Sequence, residues 1–143
     1  MFLGLPKEDV LAARKEYTQL NIVSFKNNDV DLIAVTITGI RGGKDQSPVK
    51  YRLLVDLDRF YDRPVVWVVD PPDETIRHVN IWPHDFADCH CQKLNKNLPN
   101  ICLGTLKDDW AAQPQQNKTL LGFLNKIKSI LSKENFKSPA RRS

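Results

Sequence analysis

Apolar positions along this chain follow two different rhythms. Val10, Ala13, Tyr17 and Leu20 recur at helical spacing behind Pro6 and the acidic pair Glu8 and Asp9, which predicts a short amphipathic helix ending near Asn21. From Ile22 the pattern becomes β-branched and alternating. Ile22-Val23-Ser24-Phe25, Leu32-Ile33-Ala34-Val35-Thr36-Ile37-Thr38, Tyr51-Arg52-Leu53-Leu54-Val55-Asp56-Leu57 and Val65-Val66-Trp67-Val68-Val69 read as four strands in succession. The joints hold Asn27-Asn28-Asp29, then Gly39 with Gly42-Gly43 and Pro48, then Arg59 to Pro64. Each is turn chemistry without room for a crossover helix, so the strands should form an antiparallel meander.

Beyond Pro71-Pro72 the periodicity is lost until Cys102, an irregular stretch of about thirty residues, long enough that a compact domain usually keeps it for a site. The last element runs from about Thr119 to Ser132. Leu120, Leu124, Ile127 and Leu131 lie on one stripe, broadened by Phe123 and Ile130, so this helix should cover the sheet. Lys137-Ser138-Pro139-Ala140-Arg141-Arg142-Ser143 is polar and proline-broken and is expected to fray. The fold class expected is α+β: an N-terminal helix, a four-stranded antiparallel meander, an active-site loop and a C-terminal helix. These make a single domain over residues 1–136, with a flexible basic tail at 137–143.

Composition changes this picture little. At 143 residues, 41% hydrophobic and 27% charged, the chain fits one ordinary globular domain, and no apolar run approaches the roughly 20 residues of a membrane-spanning helix. Met1-Phe2-Leu3-Gly4-Leu5-Pro6 has neither a basic leader nor a long apolar segment, so a cytoplasmic location is expected. Three cysteines, two of them at Cys89 and Cys91, make a poor disulfide framework, and reduced thiols are expected. The formal charge of +4 draws on Lys118, Lys126, Lys128, Lys133, Lys137, Arg141 and Arg142. No aromatic residues interleave with these charges as a nucleic-acid stacking surface requires, so they read as a solvated face and nucleic acid is not the favoured partner.

Three features carry candidate chemistry. Ile101-Cys102-Leu103-Gly104 isolates one thiol at an apolar turn, which makes Cys102 a candidate acyl carrier. Sulfur attacks well as thiolate and leaves well once acylated. The bland alternative is a small buried hydrophobe. His78-Val79-Asn80 offers an imidazole and a carboxamide, either able to serve such a thiol or the oxyanion formed when it attacks a carbonyl. His84, Cys89, His90 and Cys91 lie close together with zinc-like chemistry, but the spacing puts neighbours on opposing sides and no second pair follows, so no metal is expected. A loop over the thiol is the preferred reading of that insertion, with Lys93, Asn95, Lys96 and Asn97 available to a partner. Asp108 and Asp109 either orient an incoming lysine or cap the turn before Trp110, itself expected to pack in the core.

This order of elements and motifs resembles the ubiquitin-conjugating enzyme family. Phe60-Tyr61-Asp62-Arg63-Pro64-Val65-Val66-Trp67 matches the corner and fourth strand, His78-Val79-Asn80 the His-Pro-Asn tripeptide, Ile101-Cys102-Leu103 the catalytic cysteine, and Trp110 with Leu120 to Asn135 the downstream tryptophan and closing helix. The chain departs from the pattern in having Val79 for proline and an insertion from His84 to Pro99. It also has no place for the two further helices of eukaryotic members. Among bacterial proteins it resembles the stand-alone conjugating-enzyme-like components of CBASS antiphage operons.

The resemblance implies a cysteine-dependent acyltransferase in which Cys102 carries the C-terminal glycine of a protein partner as a thioester. That partner is a cyclic-oligonucleotide synthase (CD-NTase) or a ubiquitin-like protein, and the glycine passes to a lysine-bearing target. Asn80 would assist the oxyanion or brace the loop, and His78 would organise it. No cofactor and no membrane are implied, and with no Gly-rich phosphate loop the donor must be activated elsewhere. Two other readings stay open: an inactive adaptor with the same fold, and a zinc-stabilised or nucleic-acid-binding domain using the basic end.

Overall fold

The computed structural model describes residues 4–85, 89–104, 106–138 and 140. Its architecture is α+β. Helix α1 (Lys7–Arg14) leads into four long strands, β1 (Leu20–Lys26), β2 (Asp29–Gly42), β3 (Asp45–Asp56) and β4 (Val65–Asp70). These form the expected antiparallel meander, with Val35 opposite Leu20 and Leu53, and Val66 opposite Val55. Helix α1 ends earlier than its apolar spacing predicts. Leu20 is drawn into β1 by its pairing with Val35, and Tyr17 reaches from the intervening turn to donate to Asn125 Oδ1 at 2.7 Å. Tertiary pairing has overridden a helical period.

The stretch after Pro72 is more ordered than its lack of periodicity suggests. It contains four two-residue strands, β5 (Ile81–Trp82), β6 (His90–Cys91), β7 (Lys96–Asn97) and β8 (Asn100–Ile101), followed by helix α2 (Leu106–Ala112). The main sheet runs β1-β2-β3-β4-β8-β5, so two of these short strands widen the meander to six strands, and β6 pairs with β7 as a separate hairpin. Helix α3 (Leu120–Leu131) closes the domain. The Thr119 side chain accepts from Gly122 N–H at 3.1 Å at its start, and Leu120, Phe123, Leu124, Ile127 and Leu131 are buried. Burying each such side chain contributes about 2 kcal/mol.

The core lies between α1, α3 and one face of the sheet, where Ile33, Val35 and Ile37 of β2 alternate with residues facing the other way. Phe60, Trp110 and Phe123 stack edge-on or tilted, with ring centroids 5.2 to 5.6 Å apart, and Trp110 Nε1–H donates to the Phe60 carbonyl at 2.6 Å. Trp110 is therefore a core anchor.

The second sheet face is also covered. Leu32, Leu54 and Trp67 bury against Cys91 and Leu98 from the β6–β7 region. Lys93 fixes that hairpin, its ammonium donating to the Asp31 carbonyl and to Asp56 Oδ1, both at 2.8 Å, with Asp58 Oδ2 at 3.4 Å. The insertion expected to lie over the thiol is a cover for the far side of the sheet, because its apolar residues find Leu32, Leu54 and Trp67 there.

Part of the tail expected to fray is docked instead. Ser138 and Ala140 are buried, with Ser138 N–H donating to the Asn135 carbonyl at 2.8 Å. Pro139 and residues 141–143 of that tail lie outside the described residues. Lys118 also leaves the supposed solvated basic face: it is buried, and its ammonium donates to the carbonyls of Tyr61 and Ala111.

Candidate functional site

The two-residue strands β5 and β8 place the candidate residues. Ile81 pairs with Ile101 in antiparallel register, so the residue before the first stands across from the residue after the second, and Cys102 N–H donates to the Asn80 carbonyl at 2.7 Å. A ladder of two residues thus joins positions twenty-two apart in sequence. Cys102 is partly exposed, unlike the buried Cys89 and Cys91. It opens on a cleft of about 570 Å³ between the loop 102–104 and the end of α3, with Ile130, Lys133, Glu134, Lys137 and Ser138 among its walls. Gly104 turns that loop with φ +55°, and a Cβ there would meet no atom within 4 Å.

Asn80 is buried, and its carboxamide is fully engaged. Nδ2 donates to the carbonyls of Ile130 at 2.9 Å and Lys133 at 3.0 Å, while Oδ1 accepts from Asn135 N–H at 3.1 Å. These carbonyls lie at the C-terminal end of α3, where helical partners run out, so Asn80 supplies a cap from outside the helix. Both amide hydrogens are spent on this brace.

His78 is fully buried. Its Nε2 lies 3.0 Å from the Leu131 carbonyl and its Nδ1 accepts from Asn80 N–H at 3.2 Å, which fixes the neutral Nε2–H tautomer. Burial pushes the imidazole below its ordinary pKa of 6.5, against the opposing pull of the Leu131 carbonyl and Glu134. Tyr51 packs edge-on against the ring at 6.3 Å, and burial holds its phenol up at about 12. With both nitrogens engaged, His78 organises the corner and is not placed as a base.

The close approach that permits this is made at Gly39. A Cβ there would lie 2.4 Å from the Leu131 carbonyl oxygen, so only glycine lets the end of α3 settle onto β2 within reach of His78.

The His/Cys cluster disperses. His84 pairs with Asp73, which raises the imidazole pKa, His90 Nδ1 lies 3.0 Å from Asn97 Oδ1, Cys89 Sγ donates to the Pro83 carbonyl at 3.1 Å, and Cys91 is in the far-face core. Among the described residues no three His, Cys, Asp or Glu side chains are grouped to hold a metal ion. Nor is any helix among them long and apolar enough to cross a membrane. Asp108 and Asp109 are exposed on the first turn of α2, where acidic residues suit the helix dipole.

The sequence reading missed Glu134. This carboxylate accepts from Gly43 N–H, Lys44 N–H and Val79 N–H, ninety-one, ninety and fifty-five residues away. The consecutive glycines at 42 and 43 signalled a turn, but nothing local named its partner. Set beside protein-family models and curated proteins, the chain matches none.

Proposed function

We propose that the protein is a ubiquitin-conjugating-enzyme-like acyltransferase in which Cys102 accepts the C-terminal glycine of a protein partner and passes it to an amine. The observation that carries this reading is a partly exposed thiol beside an open cleft, on a backbone held by a rigid corner. The thiolate adds to the carbonyl of a glycine activated elsewhere, the activating group leaves, and a thioester results. An incoming amine then attacks the same carbonyl, loses its proton to solvent or a nearby base, and releases the thiol. Asn80 and His78 hold the geometry. Because the Asn80 amide is committed to α3 and the Cys102 N–H to the Asn80 carbonyl, oxyanion stabilisation falls to the main-chain N–H groups of Leu103 and Gly104.

The partner fitting the family resemblance is the tail of a cyclic-oligonucleotide synthase or a ubiquitin-like protein, in bacterial antiphage defence in the cytoplasm. Incubation with the synthase or ubiquitin-like protein encoded beside it, together with its activating enzyme, should give a covalent conjugate that dithiothreitol cleaves and Cys102→Ala abolishes. A conjugate that resists reductant and survives Cys102→Ala contradicts the proposal. The engaged Asn80 amide favours a second reading, an adaptor that binds the same partner without chemistry. Stable binding with no thioester at any pH would select it.

A further inference from the structure

One wall of the thiol cleft carries charge that the corner does not use. Glu134, the acid in that wall, spends its carboxylate on the Gly43, Lys44 and Val79 N–H groups. Lys133 and Lys137 line the same cleft, and both are exposed. Lys126 is exposed as well, and at three and four residues before Ser129 and Ile130, which border the cleft, it shares their face of α3. The ion pairs among the described residues draw on Lys26, Arg41, Arg59, His84 and Lys93, and none engages Lys126, Lys133 or Lys137. A stripe of unneutralised ammonium groups therefore leads along α3 to the cleft on which Cys102 opens. Asp108 and Asp109 of α2 are exposed but lie outside its walls.

The rest of the lining narrows what fits. Leu103 and Ile130 are half-buried and give the cleft an apolar part, beside the small residues Gly104 and Ser129. Among the described residues no aromatic ring lines it, and exposed Phe136 is not one of its walls, so a nucleobase finds nothing there to stack on. We propose that this cleft selects an acidic polypeptide tail, with Asp or Glu just ahead of its terminal glycine, and that Lys133 and Lys137 are the specificity-determining residues, with Lys126 extending the track. Ammonium groups along one wall favour anionic over cationic side chains on the same backbone path, and salt screens the preference. This names the substrate class of the acyl transfer proposed above and rests on that reading for the tail being the donor.

Three short peptide thioesters ending in glycine, alike except for Asp, Asn or Lys in the residues leading up to it, test the proposal. Each is mixed with the folded full chain, and acylation of Cys102 is timed by intact mass. Cys102 Sγ bonds to the glycine carbonyl carbon as the small thiol of the peptide leaves with the proton. At low ionic strength the Asp peptide should react several-fold faster than the Asn peptide and the Lys peptide several-fold slower, with the differences collapsing in concentrated salt. Lys133→Gln with Lys137→Gln should level the rates, and Lys133→Glu with Lys137→Glu should reverse their order. Lys7→Glu changes the net charge as much as the Gln pair does, but it follows Leu5, which bridges Val30 at the other end of β2 from Gly39 and the α3 exit, and should leave the order unchanged. Equal rates for the three peptides, an Asp preference that survives the Gln pair, or one that Lys7→Glu lowers as much, overturns the inference. The same tails as labelled, unreactive amides, titrated onto Cys102→Ala by fluorescence anisotropy, read recognition without chemistry. The Asp amide should bind most tightly and lose that lead in the Gln pair. If no peptide acylates Cys102 but this order of binding holds, acyl transfer fails and the acidic-tail preference stands, whereas acylation at equal rates gives the reverse. No order in either assay, or a single-stranded oligonucleotide that holds the same lysines more tightly than the Asp amide, overturns it.

Discussion

Asn80 and His78 draw their roles from where α3 ends. Asn80 answers two carbonyls that the helix leaves without partners and one N–H beyond it, so Asn80→Ala orphans three buried or half-buried main-chain groups. We expect it to cost about 3 kcal/mol, read as a fall in the urea midpoint at unchanged slope. Asn80→Asp should be at least as damaging, because a carboxylate would face the Ile130 and Lys133 carbonyls. An alanine variant as stable as wild type would show that Asn80 does not brace the end of α3.

Protonation acts on the same corner. His78 has a lowered folded-state pKa, so the unfolded chain takes up a proton near pH 6.5 that the folded chain refuses until lower pH. Its contribution is complete above about pH 6.5 and is lost as pH falls from there towards the folded value. Glu134 adds a second loss in more acid solution. Burial raises its carboxyl, but the N–H groups of Lys44, Gly43 and Val79, with His78, outweigh this and bring it below 4.5. Its contribution is therefore present above pH 4.5 and lost as pH falls through the folded value. His84, held up by Asp73, works in the opposite sense but is exposed. The comparison with His78→Gln isolates the effect: the variant should lose the wild-type slope of stability against pH just below 6.5, and an identical slope would contradict the buried neutral imidazole.

At the scale of elements, the four long strands and α3 announce themselves because each spans several periods of its own pattern. Strands β5 to β8 have two residues each and α2 has seven, too short to show a period, and they exist because longer elements offer them edges and pockets. One clue to the insertion's place was present. Leu32 to Val35, Leu53 to Val55 and Val65 to Val69 are unbroken apolar runs, more than a one-sided antiparallel sheet needs, and such runs mean burial on both faces. The β6–β7 hairpin is that second cover.

Lys93 ties the hairpin down among Asp31, Asp56 and Asp58, whose charges raise its pKa against the opposing effect of burial. Lys93→Ala leaves three carboxylates facing one another. Discounted for partial exposure, the loss should be about 2 kcal/mol, with faster amide exchange confined to residues 90–98. Wild-type exchange there would mean that Cys91 and Leu98 hold the hairpin without the lysine.

For the whole molecule, the candidate residues were legible in the sequence and the way they are joined was not. Cys102, Asn80 and His78 do meet, through a two-residue ladder and the end of α3, but Glu134 completes the corner across distances no local pattern records. The same joining moved Asn80 from oxyanion donor towards brace and placed the insertion on the face opposite the thiol's helix. What the arrangement offers chemistry is one reachable sulfur on a fixed backbone, with the two other thiols buried. That is tested most directly without any partner, by mixing the folded protein with a short synthetic peptide thioester ending in glycine and measuring the intact mass. One peptide acyl group should appear on Cys102, removed by hydroxylamine or dithiothreitol and absent from Cys102→Ala. A folded protein that never takes up the acyl group, or takes it up equally in Cys102→Ala, contradicts it.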